Sequence, residues 1–575
     1  MNIMRPRATL VLPLALALAA TAACTFETAG AGPGDSGGSV LPDGGAPPVD
    51  AGAGECEVDD ECEEGVCDEG PGICVECVDE GQCGELEVCE GGVCVNDADD
   101  PATCFGEPVD RASDPEHCGA CGNECAAGTA GLCEDGHCVA ECDDGETGTF
   151  GGGDGSPSDP FTICNEDQLE LLSGSDDDDH VNADAAFLVT ADLDLGGRDE
   201  WEPIGDGDAF EGRFDGNHYP IANVAIDVSS DESGFFGEID DDGEVRNVVL
   251  EAAEAEGDDE AVGLLAGVHG GVIENAVVSG RVEGEEDIGG LVGVSSGEIR
   301  SSEADVEVRA EDDNAGGIAG RCAGGAVFAS TASGSVHGEK RVGGLIGRAQ
   351  DDCAIAEARA GAEVEGEDRV GGLVGELRDE AGIERSQATG EVVLLAGGKA
   401  AGGLVGRMRN SDTRVRESSA GGEVRADDGG EEIGGLVGYV RRSGEIADSY
   451  ASGRVEGGDA DRVGGLVGHV GDDDATIARC YAAGEVREGD DDVGGLVGKN
   501  DDDETVVASY WWLDEGAGDE QPADSAGGES LDTEAFSIPA SFEGWAFGSP
   551  PLWVMESGLP GPVGERPILW WQADP

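Results

Sequence analysis

The chain has 575 residues, of which 100 are glycine and only 4% are aromatic. This composition excludes a wide core filled by large side chains, but it suits repeat architectures in which backbones pack closely. The formal charge of −96 argues against nucleic acid and anionic lipid as partners, because so strong a negative field repels both. We interpret the acidic residues as a solvated surface, with Ca²⁺ binding by the aspartate runs as the alternative.

The first 24 residues have the pattern of a bacterial export signal. Arg5 and Arg7 precede an apolar stretch that is too short to span a membrane but fits the core of a signal peptide. The run Thr21-Ala-Ala-Cys24 resembles a bacterial lipobox, in which the cysteine thiol receives a diacylglycerol. The resemblance implies a signal peptide at 1–23 and a lipid anchor on Cys24. Ordinary cleavage, with Cys24 incidental, is the alternative.

The residues after Cys24 predict where the protein is sorted and how it is tethered to the membrane. Thr25, rather than Asp, resembles an outer-membrane sorting context, so we expect an exported outer-membrane lipoprotein at the cell surface. Residues 24–54 are mostly Gly, Pro, Ala, Ser and Asp without periodicity, which predicts a flexible tether. The acyl chain would then be the only membrane contact.

Residues 55–142 are rich in cysteine and contain 15 of the 20 cysteines in the chain. An exported segment with few apolar residues predicts disulfides rather than zinc or redox sites, although the pairing stays open. The run Asp114 to Cys125, with the pattern D-x-x-x-C-G-x-C-G-x-x-C, resembles short modules of bacterial surface lipoproteins. That resemblance implies location more than activity.

One pentapeptide, GGLVG with small variations, recurs ten times between residues 233 and 498. Its closing glycines stand at 237, 267, 293, 320, 347, 375, 406, 438, 468 and 498, with a mean spacing of (498 − 237)/9 = 29 residues. A phosphate-binding loop is not expected, because no Lys-Ser or Lys-Thr follows and such a loop would not occur ten times. The near-constant period instead predicts a stacked repeat fold.

A second theme, I-x-x-S-x-A-x-G-x-V, lies between the pentapeptides, as at 383–392 and 446–455. Its even or strand-length spacing indicates strands, so each unit should hold about three. We therefore predict an all-β fold, a parallel β-helix or β-solenoid of about ten coils with end caps, preceded by a disulfide-rich irregular segment.

The repeat also predicts which side chains stack inside the solenoid. The expected core residues are the apolar members of the pentapeptides: Leu291, Val292, Leu345, Leu373, Val374, Leu404, Leu436, Leu466 and Leu496. Cys322 and Cys353 follow consecutive pentapeptides and are candidates for a disulfide between coils. Cys480 takes the place of a repeated serine, which indicates a small buried residue and not a nucleophile.

The flanks of the repeat predict its caps. We place an N-terminal cap with the first coils at 143–232, the repeats at 233–512, and a Trp-rich C-terminal cap at 513–575. Asn165 precedes two acidic residues and should cap a short helix. Six of the seven tryptophans follow residue 510, and we expect them to pack over the last coil.

The repeats and their flanks together resemble proteins with GLUG motifs, named for a G-L-x-G core, over residues 146–572. The flanks include Trp201-Glu-Pro-Ile-Gly205 and Ser509-Tyr-Trp511. Such repeats occur in bacterial surface proteins, adhesin-like proteins and immunoglobulin-A-cleaving metallopeptidases. The peptidases carry zinc in a separate domain, whereas this chain has no H-E-x-x-H and its seven histidines are scattered. We expect no enzyme activity, no metal and no cofactor.

The leading hypothesis is a surface-displayed lipoprotein with an adhesin-like solenoid that binds a protein or glycan, and no nucleic acid. Its candidate binding face is the basic group Arg407, Arg409, Arg441 and Arg442, near which Arg414 and Arg416 also lie in sequence. One alternative is a structural envelope spacer without a dedicated ligand. Another is a β-helix enzyme that cleaves polysaccharides, since carboxylates are numerous.

Overall fold

The computed structural model describes isolated strands between residues 66 and 139, residue 142, and residues 149–573 with gaps at 174–183, 199, 206–208, 228–231, 258–259, 411, 472–473, 503–504, 514–521, 523, 548–550 and 560–562. The predicted signal peptide, the tether and Cys24 lie outside these residues. The chain divides into two units, 1–78 and 79–575. In the first, Val66–Asp68 pairs antiparallel with Ile73–Val75.

The second unit begins with three short antiparallel hairpins. They pair Glu87–Glu90 with Val93–Asn96, Thr103–Cys104 with Glu107–Pro108, and Leu132–Glu134 with His137–Val139. The last hairpin is fixed to the following fold by Asn217, whose side-chain oxygen accepts a hydrogen bond from the Cys138 amide at 2.8 Å. A disulfide joins Cys142 to Cys164, with the Cα atoms 6.2 Å apart.

The solenoid consists of three parallel sheets, which we call A, B and C. Sheet A has 13 strands: Phe161–Ile163, Ala186–Val189, Arg213–Asp215, Glu244–Arg246, Val272–Glu274, Glu298–Arg300, Ala326–Phe328, Ala354–Ala356, Gly382–Glu384, Arg414–Arg416, Glu445–Ala447, Thr476–Ala478 and Val506–Val507. Sheet C has ten strands: Phe236–Ile239, Ala266–His269, Val292–Ser295, Ala319–Ala323, Ile346–Gln350, Val374–Arg378, Val405–Arg409, Val437–Val440, Val467–Val470 and Val497–Asn500.

Sheet B is the largest, because most coils contribute more than one segment to it. Its 26 strands are Leu193–Asp194, Pro220–Ala222, Ala225–Ile226, Glu232–Ser233, Val249–Glu256, Ala261–Gly263, Val277–Gly284, Ile288–Gly289, Glu303–Ala310, Asp313–Gly316, Thr331–Gly343, Arg359–Ala360, Glu363–Gly371, Gln387–Ala388, Val392–Gly402, Ser419–Ala420, Val424–Ala426, Glu431–Gly434, Tyr450–Ala451, Val455–Glu456, Asp461–Gly464, Tyr481–Ala482, Val486–Arg487, Val493–Gly494, Tyr510–Trp512 and Glu529–Leu531.

This architecture confirms the predicted all-β solenoid. Each of the ten pentapeptides leads into one of the ten strands of sheet C. The solenoid nevertheless has about 12 turns, because the N-terminal flank adds strands to sheets A and B before the first pentapeptide.

The pentapeptide glycines are required by close contact between coils. A Cβ on Gly403 would lie 2.2 Å from the carbonyl oxygen of Gly435 in the next coil. The leucines that follow are fully buried and join successive coils through the backbone: the Leu404 amide donates to the Leu436 carbonyl at 2.9 Å. Paired glycines thus bring backbones together so that leucine can stack on leucine.

A serine column supports one corner of the coils. The Ser418 hydroxyl accepts a hydrogen bond from the Ser386 amide at 3.1 Å, and the Ser449 hydroxyl accepts one from the Ser418 amide at the same distance. Cys480 occupies the next place and is fully buried. Burial raises the pKa of its thiol to about 12, so this group remains neutral and is shielded from solvent.

The N-terminal end is closed by a helix, Glu166–Leu169, that continues as the 3₁₀ turn Glu170–Leu172. The Asn165 side chain accepts a hydrogen bond from the Gln168 amide at 2.9 Å, which confirms the predicted cap. Phe150 and Phe161 stack beside it, with ring centroids 4.9 Å apart.

The C-terminal region departs from the expectation that its tryptophans cover the last coil. Trp511 does fill the core there, since a Cβ on Gly495 would lie 2.1 Å from its ring. Residues 524–531 also continue the stack, since Glu529–Leu531 pairs with Tyr510–Trp512, but the residues after 531 lie against the side of the solenoid. They form the helix Thr533–Phe536, the 3₁₀ turns Pro539–Ser541 and Trp570–Gln572, and the hairpin of Trp553–Ser557 with Glu565–Leu569.

A tyrosine column is the reason for this lateral packing. Tyr450, Tyr481 and Tyr510 occupy paired positions of sheet B, and Tyr450 and Tyr481 stack in parallel with centroids 4.8 Å apart. Trp545 and Trp553 pack on them in a second hydrophobic cluster. Large apolar rings on an outer face need a cover, and the C-terminal segment provides it.

Candidate functional site

The outer surface of sheet C departs from the acidic character of the rest of the chain. The residue after each closing glycine forms one column along the sheet, joined by direct strand pairing. In chain order this column consists of Glu238, Val268, Val294, Arg321, Arg348, Glu376, Arg407, Tyr439, His469 and Lys499. From the fourth coil onward it holds cationic and aromatic residues with a single acid, although acids outnumber bases 127 to 31 in the chain.

A second column two residues further along adds more arginine. Arg378 and Arg409 are paired neighbours there. We call Arg321, Arg348, Arg378, Arg407 and Arg409 the arginine strip. All five are half-buried, and residues i and i+2 of a strand share a face, so the strip is roughly 7 Å wide at the backbone.

The strip is built around one buried carboxylate. Glu376 is 1% exposed and lies between Arg348 and Arg407 in its column. Its Oε1 is 3.7 Å from Arg369 Nε and 4.0 Å from Arg409 Nη1, distances that allow charge pairing but no hydrogen bond. A buried carboxylate needs such compensation, so Glu376 serves as an internal counter-ion.

Arg348 and Arg407 have no ion pair within 4.0 Å among the residues that the structure describes, and the Nε of each is buried without a hydrogen-bond partner there. Burial lowers the pKa of Arg348, and the positive charges of Arg378 and Arg341 lower it further. The other strip members differ: Arg321 pairs with Asp287 at 2.7 Å, and Arg378 pairs with Asp379. The Arg348 and Arg407 guanidinium groups thus lack a close ion pair among the described residues, although the charge of Arg407 acts on Asp368 and that of Glu376 acts on Arg348.

The column continues into a stack of flat groups. The Arg407 guanidinium lies 5.0 Å from the centroid of the Tyr439 ring, and Tyr439 stacks on His469 at 4.8 Å with an interplanar angle of 4°. His469 is held by Glu432 at 3.2 Å. Both faces of the tyrosine ring are thus occupied within the protein, and no face is left for a stacking ligand.

Buried polar pairs offer no accessible chemistry. His269 Nδ1 and Ser295 Oγ are 3.1 Å apart, but both side chains are fully buried in the core. Burial lowers the pKa of His269 to about 4, so its ring is neutral near neutral pH. No group of three or more His, Cys, Asp or Glu residues in the described part of the chain is arranged to hold a metal ion.

Comparison with known proteins identifies the repeat. The family model of the GLUG motif matches residues 429–456 and 459–487, two successive coils that contain the eighth and ninth pentapeptides. The chain therefore carries GLUG motifs. The arginine strip lies before them, in GLUG-like coils whose outer residues differ from those of the matched pair.

Two relatives share part of this chain. Halomucin of Haloquadratum walsbyi is 33% identical over 158 residues, which are 25% of this chain and 2% of halomucin. A protein of Evansella cellulosilytica described as a Gly-rich membrane protein is 36% identical over 138 residues, 23% of this chain and 16% of that protein. The chain thus spans only a small part of either relative.

One solved structure is also similar. It is described as an immunoglobulin A1 protease of Bacteroides ovatus, with 18% identity, a TM-score of 0.31, and coverage of 73% of this chain and 95% of that one. The low TM-score supports no functional comparison. Among the described residues, no helix combines the length and hydropathy needed to cross a bilayer.

The predicted binding group is divided among different surfaces of the GLUG solenoid. Arg407 and Arg409 lie in the strip, and Arg441 and Arg442 are exposed in the turn after Val437–Val440 of the same sheet. In contrast, Arg414 and Arg416 lie on sheet A. Sequence reasoning missed Arg321, Arg348 and Arg378, although their place one or three residues after a closing glycine was a usable signal.

The other predicted residues are distributed as follows. Cys24 lies outside the described residues. Cys322 and Cys353 form a disulfide between consecutive coils, with Cα atoms 6.0 Å apart. The predicted repeat core residues Leu291, Val292, Leu345, Leu373, Val374, Leu404, Leu436, Leu466 and Leu496 are all fully buried.

Proposed function

We propose that this chain is a non-enzymatic, surface-associated lipoprotein whose solenoid presents the arginine strip to a ligand outside the cell. The observation that carries the proposal is the outer column of sheet C, where a regular core supports a local departure from the acidic surface. Half-buried cationic side chains that interrupt a repeat on a rigid scaffold suit a binding site better than a packing role.

Location is the first part of the proposal. The export signal, Cys24 and the description of one relative as a membrane protein support attachment to an envelope. The adhesin-like role, the acyl anchor and the outer membrane are finer statements that experiment must decide.

Whole-cell labelling tests this location. A C-terminal tag is followed on intact cells treated with external protease, with and without an inhibitor of lipoprotein processing, and Cys24→Ala serves as the matched variant. We expect protease to remove the tag, and the inhibitor and Cys24→Ala each to leave uncleaved precursor. A tag protected in intact cells but cleaved after the outer membrane is opened would instead favour the structural spacer.

The absence of catalysis is the second part. The buried Ser295 and His269 pair supports it, because no substrate could reach these atoms without opening the core. Incubation of the purified chain with neutral and acidic polysaccharides should release no reducing ends. Release above that of a heat-denatured sample would favour the polysaccharide-cleaving alternative.

A further inference from the structure

We propose that the arginine strip binds a linear anionic polysaccharide, bearing carboxylate or sulfate groups, that lies along the solenoid axis. This inference rests on the surface display proposed above and names the class of ligand.

The shape of the strip favours a thin, extended occupant. The strip is two side chains wide, and it follows successive coils that are ~4.8 Å apart. Acidic turns border it, with Asp351, Asp352 and Glu380 exposed on one side. A stable protein partner would need on the order of 800 Å² on this surface and would meet those acids. A single polysaccharide chain can remain within the strip.

The charge of the strip selects an anion. Arg348 and Arg407, the two strip arginines with no ion pair within 4.0 Å among the described residues, flank Glu376 and are two coils apart. Their backbones are therefore separated by roughly 10 Å along the axis. A polymer with anionic groups at that spacing could engage both guanidinium groups. Because Nε is buried in each, the two parallel hydrogen bonds to a carboxylate or sulfate would come from the terminal nitrogens Nη1 and Nη2.

The aromatic stack argues against a neutral sugar. Sugars that lack charge are commonly held against the open face of an aromatic ring, but Tyr439 is covered by Arg407 on one side and His469 on the other. Neither face of the Tyr439 ring is therefore open to a sugar. Recognition must then come from charge and hydrogen bonding at the guanidinium groups.

The net charge of −96 does not prevent this binding. At physiological ionic strength, charges more than about 8 Å away are largely screened, so a ligand confined to the strip interacts mainly with the arginines. Double-stranded DNA has one charge per ~1.7 Å and is far wider than two side chains, so it would also meet the acidic borders.

Binding of defined polymers to the purified full chain tests the proposal. The probes are dextran sulfate, polygalacturonate, uncharged dextran of matched length and duplex DNA, measured by calorimetry at one fixed ionic strength. We expect binding of at least one anionic polysaccharide and none of uncharged dextran. Equal binding of uncharged dextran, tighter binding of DNA, or no binding of either anionic polymer would overturn the inference.

Matched variants locate the site. Arg348→Gln combined with Arg407→Gln should weaken binding of the anionic polysaccharide by more than tenfold. The control, Arg414→Gln with Arg416→Gln, removes the same charge from sheet A and should change affinity less than twofold. An equal loss in both variants would indicate nonspecific attraction and contradict the proposal.

A second substitution guards against misfolding. Arg348→Lys with Arg407→Lys keeps the charge but removes the planar paired donors, so affinity should fall between those of the original chain and the glutamine variant. Unchanged affinity in both the lysine and glutamine variants would exclude the strip as the site. If the chain binds the polymer but is protected from external protease on intact cells, the proposed surface display is wrong and the proposed ligand class stands. If the chain is exposed on cells but does not bind the polymer, the proposed ligand class is wrong and surface display stands.

Discussion

The leucine column just before sheet C and the outer column of sheet C follow the same ten coils but vary in different ways. The leucine column, the third residue of each pentapeptide, is apolar in every coil and fully buried, from Phe235 to Leu496. The outer column one residue past the closing glycine changes from Glu238 through valines to arginines and then to aromatic residues. Stacking constrains the inner side chains, because each must fit the coils before and after it. The outer side chains are less tightly constrained, so a cationic run there supports the proposed binding.

Among the tests of this contrast, we expect the largest effect from a substitution at a glycine that lies between two coils. Gly403→Ala places a Cβ 2.2 Å from the Gly435 carbonyl oxygen, a backbone atom that cannot move without breaking the stack. We expect the free energy of unfolding to fall by more than about 4 kcal/mol. Denaturant titration, with hydrogen exchange at the neighbouring amides, measures the loss.

Gly382→Ala is the control for that experiment. An added Cβ there would have ordinary contacts only, the nearest at 3.9 Å from the Arg414 carbonyl oxygen. We expect little loss, or a slight gain because alanine restricts the unfolded chain. Equal losses at both glycines would mean that chain flexibility, and not contact between coils, explains the repeated glycines.

The disulfide between coils should produce the next largest effect. Replacing Cys322 and Cys353 together by alanine removes a cross-link over 31 residues of sequence. The lost restriction of the unfolded chain predicts a decrease of about 3–4 kcal/mol in the free energy of unfolding. Cys480→Ser is the matched control, since it also removes a buried sulfur but installs the residue found at Ser418 and Ser449. If Cys480→Ser lowers the free energy of unfolding by as much, the loss comes from side-chain packing and not from the cross-link.

The next prediction concerns how the free energy of unfolding depends on pH through a buried histidine. The pKa of His269 falls from an ordinary 6.5 to about 4 in the folded chain because of burial. Between these two pH values the His269 ring binds a proton in the unfolded chain but not in the folded chain. The free energy of unfolding should therefore decrease by roughly 3 kcal/mol as the pH falls from 6.5 to 4. Comparing stability against pH for the original chain and His269→Val should reveal this difference.

Ser295→Ala provides the reference for the histidine. It removes the hydroxyl 3.1 Å from Nδ1 but keeps the titrating ring, so the slope with pH should persist. A slope unchanged in His269→Val would assign the acid sensitivity to carboxylates elsewhere.

The repeat sequence predicted the solenoid because its periodic residues are those that stacking constrains. The ten pentapeptides predicted the ten strands of sheet C, and Asn165 predicted the helix cap. The lateral position of the C-terminal segment was missed, because it depends on Tyr450, Tyr481 and Tyr510 aligning in three dimensions. The division of the basic group was missed for a related reason: closeness in sequence does not reveal which corner of a coil separates Arg409 from Arg414.

The smallest expected effect concerns the outer column itself. Burial and the charges of Arg378 and Arg341 disfavour the charged form of Arg348, as the lowered pKa of this group indicates. Arg348→Gln should therefore leave the free energy of unfolding within about 1 kcal/mol of its original value, with any change toward higher stability. Denaturant titration beside Leu404→Ala, which should cost about 2–5 kcal/mol in the core, checks the contrast. A large loss for Arg348→Gln would mean that the strip holds the coils together. A neutral or stabilising result would mean that the folded solenoid does not need this arginine, which would support its proposed role in ligand binding.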